Sequence, residues 1–206
     1  MTPELDSLAR QIIRSAEGAS RYLVALAGPP GAGKSYRSAL LCEAINQLLP
    51  GQAGLVPMDG YHFDNAMLGK QQLPIKGAPH TFDVDGLRSA LERIRQAQHP
   101  VAVPVFDRPL DLARAGGRLI TLEQRIVIVE GNYLLLDRSP WRELRPLFDW
   151  TLFLDVDDEI LVDRLIQRWL EMGQDHAGAL ERTHCKDMLN AQLVKRCSLP
   201  PDQRWH

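Results

Sequence analysis

The amino-acid sequence predicts an α/β fold in which a doubly wound, mainly parallel β-sheet is flanked by helices. Three observations favour this fold class. Short continuous apolar runs recur along the chain, stretches with helical spacing alternate with them, and a glycine-rich turn joins the first run to the next helix. Continuous apolar runs are typical of strands buried on both faces, and strand–helix alternation is typical of a doubly wound sheet.

The first half of the chain divides into elements at local signals. Thr2-Pro3 supplies a helix cap and a first-turn proline, and Gly18 can end that helix. The predicted helices run from 2 to 18, from 35 to about 49, and over 85–98. The predicted strands are 22–27 and the stretch GLVPMDG, 54–60, in which the strand ends at Asp59.

The second half predicts three more strands and an amphipathic helix. The strands cover 101–107 (despite Pro104), 125–132 and 150–156. Asp157 can cap the following helix, whose apolar stripe is formed by Leu161, Leu165 and Trp169. No repeat, low-complexity tract or linker divides the chain, so we expect one domain over residues 1–206.

The carboxyl ends of the predicted strands indicate where a ligand would bind. Doubly wound sheets bind ligands beyond these ends. We therefore expect the chemistry to cluster at residues 28–35, Asp59, Asp107 and Glu130, which directly follow predicted strands.

Composition and charge exclude several classes of protein. The chain has 24 Lys and Arg against 26 Asp and Glu, a net charge of −2, whereas proteins that bind nucleic-acid backbones are usually basic. No apolar run reaches the length of a membrane span, and the first residues contain no signal-peptide core. The three cysteines are scattered without CxxC spacing, which fits a reducing compartment. We expect a cytoplasmic protein with a small-molecule partner and no nucleic-acid or membrane partner, and leave open whether it is a monomer or a homodimer.

The stretch GPPGAGKS, residues 28–35, follows the first predicted strand and fits the phosphate-binding P-loop pattern G-x-x-x-x-G-K-[ST]. Its backbone N–H groups and the helix that starts there would hold phosphate oxygens. Lys34 would reach the β- and γ-phosphates and Ser35 would bind Mg²⁺. The predicted nucleotide-binding residues are Gly28, Pro29, Pro30, Gly31, Ala32, Gly33, Lys34, Ser35 and Tyr36. The alternative is a glycine turn that matches the pattern by accident.

Other classes of nucleotide-binding protein lack support in the sequence. A GTPase should carry N-K-x-D, but no asparagine is followed by lysine, and a transporter ATPase should carry L-S-G-G-Q, which is absent. Asp83-Val84-Asp85-Gly86 spells D-x-x-G but follows no strand, so we interpret it as the start of a helix. A kinase that acts on a separate acceptor remains.

Two carboxylates at predicted strand ends suit phosphoryl transfer. Asp59 is the candidate catalytic base, because a hydroxyl acceptor needs a carboxylate that orients it and accepts its proton. Glu130 ends the apolar run IVIVEGN and is the candidate ligand of Mg²⁺ with Ser35. The alternatives are a loop-turning aspartate before Gly60 and, for Glu130, a helix cap or a structural salt bridge.

These motifs together resemble the phosphoribulokinase/uridine kinase group of P-loop kinases, which includes bacterial pantothenate kinase. The P-loop, MDGYHFDN, GAPHTFDVDGL, VPVFDRPLD, VEGNYLLLD and FLDVDDEILVDRLIQRW occur in the order of that group, over roughly residues 20–195. Within the group, the chain is similar to bacterial proteins labelled fructose transport system kinases. The resemblance implies ATP and Mg²⁺ as cofactors, Asp59 as the catalytic acid and Glu130 as the Walker B acid.

The resemblance also implies a helical lid, at about residues 160–185, with arginines that contact phosphate. Arg164 and Arg168 match these positions, Arg164 as a nucleotide-binding residue and Arg168 as a catalytic one. They are four residues apart and share one helix face, although the alternative is a solvated face paired with Asp163 and Glu171. The group's lid often has a denser arginine cluster than the spread-out Arg164, Arg168 and Arg182 of this chain. Uridine kinases have a tyrosine and a downstream histidine around P-x-Y-D, whereas this chain has Phe106 at the tyrosine and Asp111 near the position of the histidine. That difference counts against a pyrimidine nucleoside as the acceptor.

The residues near the predicted strand ends supply candidates for the acceptor pocket. The candidates are Asp59, Tyr61, His62, Lys76, His80, Phe82, Asp83, Arg108, Arg114 and Tyr133. The irregular stretch over 69–82 has the length of a substrate loop. We expect an ATP-dependent kinase of a small metabolite, with a fructose-type sugar as the leading acceptor and pantothenate or a nucleoside as the alternative. A non-catalytic nucleotide-binding regulator is the alternative of another class.

Overall fold

The computed structural model describes residues 2–206, and its strands and helices alternate along most of the chain. The strands are β1 (Tyr22–Ala27), β2 (Ala53–Pro57), β3 (Val101–Asp107), β4 (Leu112–Ile120), β5 (Ile126–Gly131), β6 (Trp150–Leu154) and β7 (Gln203–Trp205). The α-helices are α1 (Pro3–Ser15), α2 (Lys34–Leu48), α3 (Val84–Gln96), α4 (Asp158–Glu171), α5 (His176–Arg182) and α6 (Met188–Cys197). Short 3₁₀ turns cover Met58–Tyr61, Leu73–Ile75, Pro79–Thr81 and Trp141–Leu147, and a π-helical turn covers Thr183–Asp187.

The central sheet is parallel and has the strand order β2-β5-β1-β6-β7. β1 lies in the middle, paired with β5 on one side and β6 on the other. Its side chains alternate between the two faces: Leu23 and Ala25 pack into one apolar cluster, whereas Val24 and Leu26 pack into another. Helices α1 and α2 cover the second cluster, and α3 covers the first. The predicted α/β fold with a doubly covered parallel sheet is therefore confirmed.

The strand predicted over 101–107 exists but does not join the central sheet. β3 pairs antiparallel with β4, a strand that the sequence did not predict, and the register shifts between Val103 and Val105. Pro104 cannot donate a hydrogen bond at this point, which favours a strand outside a central position. The Pro104 carbonyl oxygen lies close to Gly60. A Cβ added to Gly60 would come within 2.3 Å of this oxygen, so the position leaves no room for a side chain.

This arrangement corrects the expected position of Asp107. The residue lies at the end of the two-stranded hairpin β3–β4, not at the carboxyl edge of the parallel sheet. It forms an ion pair with Arg114 over 3.2 Å. Asp107 therefore does not join the other strand-end residues, and the expectation that it would do so is wrong.

Local signals predicted the helix starts well. Asp83 caps α3 by accepting a hydrogen bond from the backbone of Gly86, as expected for a helix start. Asp157 occupies the cap position of α4, although its side chain makes no capping hydrogen bond within residues 2–206. Leu161, Leu165 and Trp169 form the buried stripe of that helix. β2 ends two residues before Asp59, which lies in the 3₁₀ turn that follows. Within residues 2–206, no helix is both long enough and apolar enough to span a membrane.

Candidate functional site

A cleft of about 700 Å³ opens beyond the carboxyl ends of β1, β2 and β5. Seven lysines and arginines but only four acidic residues line it, although the chain as a whole carries a net charge of −2. We call the part lined by residues 30, 31 and 33–36 with Glu130, Asn132 and Arg164 the P-loop end. We call the part lined by His62, Asn65, Lys76, Gly77, Phe106 and Asp111 the far end. The remaining lining residues are Asp59, Leu73, Arg108, Arg168, Trp169, Met172, Gln174, Arg182, Lys186, Asp187 and Asn190.

The P-loop end is built from the turn between β1 and α2. Gly33 caps α2 in the left-handed region (φ +89°), a conformation that glycine adopts without strain. The buried Lys34 side chain donates to the Pro29 carbonyl over 2.9 Å and to Oδ1 of Asn132 over 2.5 Å. Burial lowers the pKa of Lys34 to about 8, against the opposing charges of Glu130 and Asp59. An anion at this position would favour the charged ammonium group.

Ser35 and Glu130 lie together at the same end of the cleft. The Ser35 hydroxyl donates to Oε1 of Glu130 over 3.0 Å. Burial, followed by the charge of Asp59, raises the pKa of Glu130 above its usual range. A hydroxyl beside a buried carboxylate fits Mg²⁺, which takes oxygen ligands and commonly binds one or two carboxylates plus substrate phosphates. Within residues 2–206, no group of three or more His, Cys, Asp or Glu side chains is placed to hold a metal without such additional ligands.

Asp59 lies between the two ends of the cleft. Its Oδ2 accepts a hydrogen bond from Arg108 on the hairpin side over 2.8 Å. Its backbone carbonyl is 2.8 Å from Nδ1 of His62. The His62 ring packs between the rings of Phe82 and Phe106 in tilted orientations, with centroid distances of 4.0 and 4.6 Å. The carboxylate is therefore fixed from the far side while its charge acts on Lys34 and Glu130.

The far end contains a buried lysine whose donors are all occupied. Lys76 Nζ donates to Oδ1 of Asn65 over 2.6 Å and to the Asp111 carbonyl over 2.7 Å, and it lies 3.2 Å from the Asp111 carboxylate. It also lies 5.1 Å from the centre of the Phe106 ring. These contacts tie the segment over 69–82 to the tip of the β3–β4 hairpin. Both segments thereby form one wall of the cleft.

Helix α4 and the π-helical turn form the opposite wall. Asp187 is 5% exposed and accepts hydrogen bonds from Trp169 Nε1 over 2.7 Å and from Arg168 over 3.1 Å. The charged groups of Arg182 and Lys186 lie over the Trp169 ring, 4.9 and 5.5 Å from its centre. π-helical turns of this kind occur frequently at functional sites.

Most predicted P-loop and lid residues reach the cleft. Arg164 donates to the carbonyls of Gly31 and Ala32 over 3.4 and 3.3 Å. Arg168 is paired with Asp187, so the alternative pairing with Asp163 or Glu171 is not observed. Gly28, Pro29 and Ala32 belong to the P-loop but are buried behind the cleft lining.

Several predicted acceptor residues lie elsewhere. Tyr61, Phe82 and Tyr133 are buried in the apolar core and do not line the cleft, and the rings of Phe82 and Tyr133 pack with Trp141. The Tyr133 hydroxyl donates to the Gly77 carbonyl over 2.6 Å, so it supports the far wall from behind. Exposed His80 is outside the cleft lining, Asp83 caps α3, and Arg114 pairs with Asp107.

Several residues of the cleft have no role that the sequence predicts. Asn132, two residues after Glu130, could have been proposed from its position at the strand end. The sequence places Trp169 in an apolar stripe of α4, and Lys186 and Asp187 belong to no local motif. Phe106 and Asp111 reach the cleft through the hairpin, whose pairing the sequence did not predict, and Asn65 donates a hydrogen bond to Asp111 at the hairpin tip.

Comparisons with known proteins give a consistent picture, although no family model matches the sequence. A Schizosaccharomyces pombe protein provisionally named a uridine kinase is 31% identical over 206 residues, which cover 96% of this chain and 88% of that protein. A pantothenate kinase of Limosilactobacillus reuteri is 27% identical over 151 residues, and the match spans 72% of this chain but only 49% of the relative. A solved structure from Silicibacter sp. TM1040, provisionally named a fructose transport system kinase, is 39% identical with a TM-score of 0.92 and full coverage of both chains.

Proposed function

Because the chain belongs to the uridine kinase and pantothenate kinase-like family of P-loop kinases, we propose that it transfers the γ-phosphoryl group of ATP to a hydroxyl of a small metabolite. A fructose-type sugar is the leading acceptor, as the name of the Silicibacter relative suggests. Pantothenate and a uridine-like nucleoside are the alternatives, from the names of the other two relatives. The three free cysteines fit a reducing cytoplasm as the place of action.

The position of Asp59 is the observation that carries this proposal. A kinase needs a carboxylate between the bound nucleotide and the acceptor hydroxyl, whereas a protein that only binds nucleotide does not. Asp59 lines the same cleft as Lys34 and Glu130, on whose pKa values its charge acts, and its backbone carbonyl contacts His62. Its ion pair with Arg108 holds it in this position. Asp59 would orient the acceptor hydroxyl and take its proton as the new bond to phosphorus forms.

The P-loop end would hold the nucleotide. Backbone N–H groups of residues 28–35 and the start of α2 would bind the phosphates, with Lys34 at the β- and γ-phosphates. Arg164 and Arg168 would add charge from α4, and exposed Tyr36 would contact the nucleotide at the cleft mouth. Ser35 and Glu130 would hold Mg²⁺, which neutralises phosphate charge when bound. We propose that residues 160–185 close over this end as a lid.

Release of ADP with and without added acceptors tests the proposal. Purified protein with ATP and Mg²⁺ should release ADP slowly alone and much faster with at least one pool drawn from sugars, pantothenate and nucleosides. Product analysis should then find one phosphorylated hydroxyl per ADP. ATP binding without any acceptor-dependent release would favour the regulator instead of the kinase.

A further inference from the structure

We propose that the acceptor carries an oxyanion, either a carboxylate or a phosphate group, and that Lys186 and Arg182 bind it. This inference rests on the proposed kinase function and adds the charge class of the acceptor. Two kinds of compound satisfy it: a hydroxy acid and a sugar phosphate. A neutral sugar or an unmodified nucleoside does not. Among the acceptors proposed above, the inference therefore favours a phosphorylated fructose-type sugar or pantothenate over free fructose and a uridine-like nucleoside.

The other far-end and lid cations already have partners. Lys76 is occupied by Asn65 and Asp111, and Arg108 is paired with Asp59. Arg168 is paired with Asp187. Within residues 2–206, Lys186 and Arg182 form no hydrogen bond or ion pair through their charged groups, although both groups line the cleft.

Lys186 faces the far end and not the P-loop. Its Cε atom lies 3.9 Å from the position that a Cβ on Gly77 would occupy, and Gly77 belongs to the far wall. Asp111, also in the far wall, contributes to the electrostatic surroundings of Lys186. Lys34 and Arg164 already supply the cations at the P-loop end. The free ammonium group is therefore placed for the acceptor instead of the nucleotide.

The two cations are held in place by a preformed support. Both charged groups lie on the Trp169 ring, and this arrangement is favourable for cations near an aromatic face. Asp187 fixes the ring by accepting a hydrogen bond from its indole N–H, and Lys186 and Asp187, both in the π-helical turn, contact this same ring. A positive surface that is built before the ligand arrives loses little side-chain entropy when an anion binds.

Matched pairs of acceptors test the charge directly. The pairs are fructose 6-phosphate with fructose, pantothenate with pantothenol, and glycerate with glycerol. In each pair the neutral member has a hydroxyl or hydroxymethyl group in place of the anionic group, and the other hydroxyls are the same. We would measure acceptor-dependent ADP release and, separately, binding by calorimetry to protein saturated with Mg²⁺ and a non-hydrolysable ATP analogue. We expect the anionic member of at least one pair to exceed its neutral partner by about 10- to 100-fold in kcat/KM, the range of a charge-assisted hydrogen bond. The phosphate and carboxylate pairs show which anion is bound.

Substitution of Lys186 identifies the binding group. Lys186→Gln should raise the KM of the anionic acceptor by about 10- to 100-fold and leave the KM of ATP nearly unchanged. Lys186→Arg should recover most of the affinity because it restores the positive charge. Lys70→Gln is the matched control, since Lys70 is exposed on the segment over 69–82 but does not line the cleft.

The outcomes separate this inference from the kinase proposal. Selective binding of anionic compounds without turnover would support the oxyanion site and contradict the kinase. Equal use of neutral and anionic partners would overturn the oxyanion site and leave the kinase standing. A Lys186→Gln variant that loses ATP affinity while keeping acceptor affinity, or absence of binding by every compound, would also overturn the site.

Discussion

At the scale of single residues, a substitution of Asp59 can separate its ion pair with Arg108 from its proposed role as the catalytic base. Arg108 pairs with its carboxylate, and the proposed acceptor hydroxyl would give it a proton. Asp59→Asn keeps the size and a hydrogen-bond acceptor for Arg108 but cannot take the proton. We therefore expect ATP binding to stay nearly unchanged and kcat to fall by about 100- to 10,000-fold, the usual contribution of general-base catalysis. Steady-state kinetics on the true acceptor measure this loss.

Glu130→Gln is the comparison for this experiment. This variant replaces the carboxylate that accepts a hydrogen bond from Ser35 with a neutral amide. Because Ser35 and Glu130 would hold Mg²⁺, the variant should need a higher Mg²⁺ concentration for its half-maximal rate. A kcat for Asp59→Asn within about threefold of wild type would remove Asp59 from the proposed mechanism.

His62 should make stability sensitive to acid. Burial lowers its pKa from the usual 6.5, because the ring packs between Phe82 and Phe106, while the nearby charge of Asp59 opposes this effect. The unfolded chain therefore binds a proton more readily, so stability is fully present above pH 6.5 and falls as pH decreases below it. His62→Phe keeps the ring packing and should reduce the decrease in Tm between pH 7 and pH 5.

Exposed His80 provides the control for this measurement. His80→Gln should leave the pH dependence of Tm as it is in the wild type. Equal acid sensitivity in wild type and His62→Phe would contradict the assignment to His62.

At the scale of elements, the junction between α4 and α5 is the place where a lid could move. α4 ends at Glu171, and Gly173 follows with φ +86°. If residues 160–185 close over bound ligands, ATP with acceptor should slow cleavage by a glutamate-specific protease at exposed Glu171 and Glu181. Mass spectrometry of the fragments gives the rate at each bond.

Glu17 is an internal reference, because it is exposed in the turn after α1, far along the chain from the lid. Its cleavage rate should not respond to ligands. Unchanged cleavage at Glu171 and Glu181 under saturating ligands would count against a mobile lid.

The elements also show which features a sequence can predict. β1, its glycine-rich turn and α2 are encoded by adjacent residues, and all three were predicted. The hairpin was not, because LARAGGRLI has two glycines and mostly exposed side chains, so it shows no apolar run. β4 becomes a strand only through pairing with β3. Asp111 reaches the far end through that pairing, and Asn65 donates a hydrogen bond to it there.

At the scale of the whole molecule, the proposed nucleotide site joins the loop after β1 to α4 and the end of β5. Binding there should stabilise the entire fold, by about 2.7 kcal/mol at a nucleotide concentration 100 times its Kd. For a chain of this size, that corresponds to a rise in Tm of roughly 5–10 °C. Lys34→Ala should remain folded, lose phosphoryl transfer and show a smaller rise.

Thermal scans with and without ATP and Mg²⁺ measure this effect, and Lys70→Ala controls for the loss of one lysine. A folded Lys34→Ala protein with wild-type turnover would contradict the P-loop assignment.

The same scale explains how much of the site could be predicted. The P-loop, Asp59 and Glu130 follow strands directly, so their position at one edge of the sheet follows from the fold class. The aromatic residues near that edge were ambiguous, and Tyr61, Phe82 and Tyr133 are in the core. Asp187 meets Trp169 only because a helix, a short helix and a π-helical turn fold back on one another. No local sequence pattern predicts that these three helical elements fold back on one another.

The position of Trp169 also gives the protein a built-in optical signal. Of the four tryptophans in the chain, it alone lines the cleft within residues 2–206. Its indole is hydrogen-bonded to a carboxylate and surrounded by cations, so an anion that binds those cations changes the electric field at the ring. We expect the emission spectrum to change when the cleft fills, and the change to disappear in Trp169→Phe. Fluorescence titration could then follow binding of candidate acceptors without labels and without turnover.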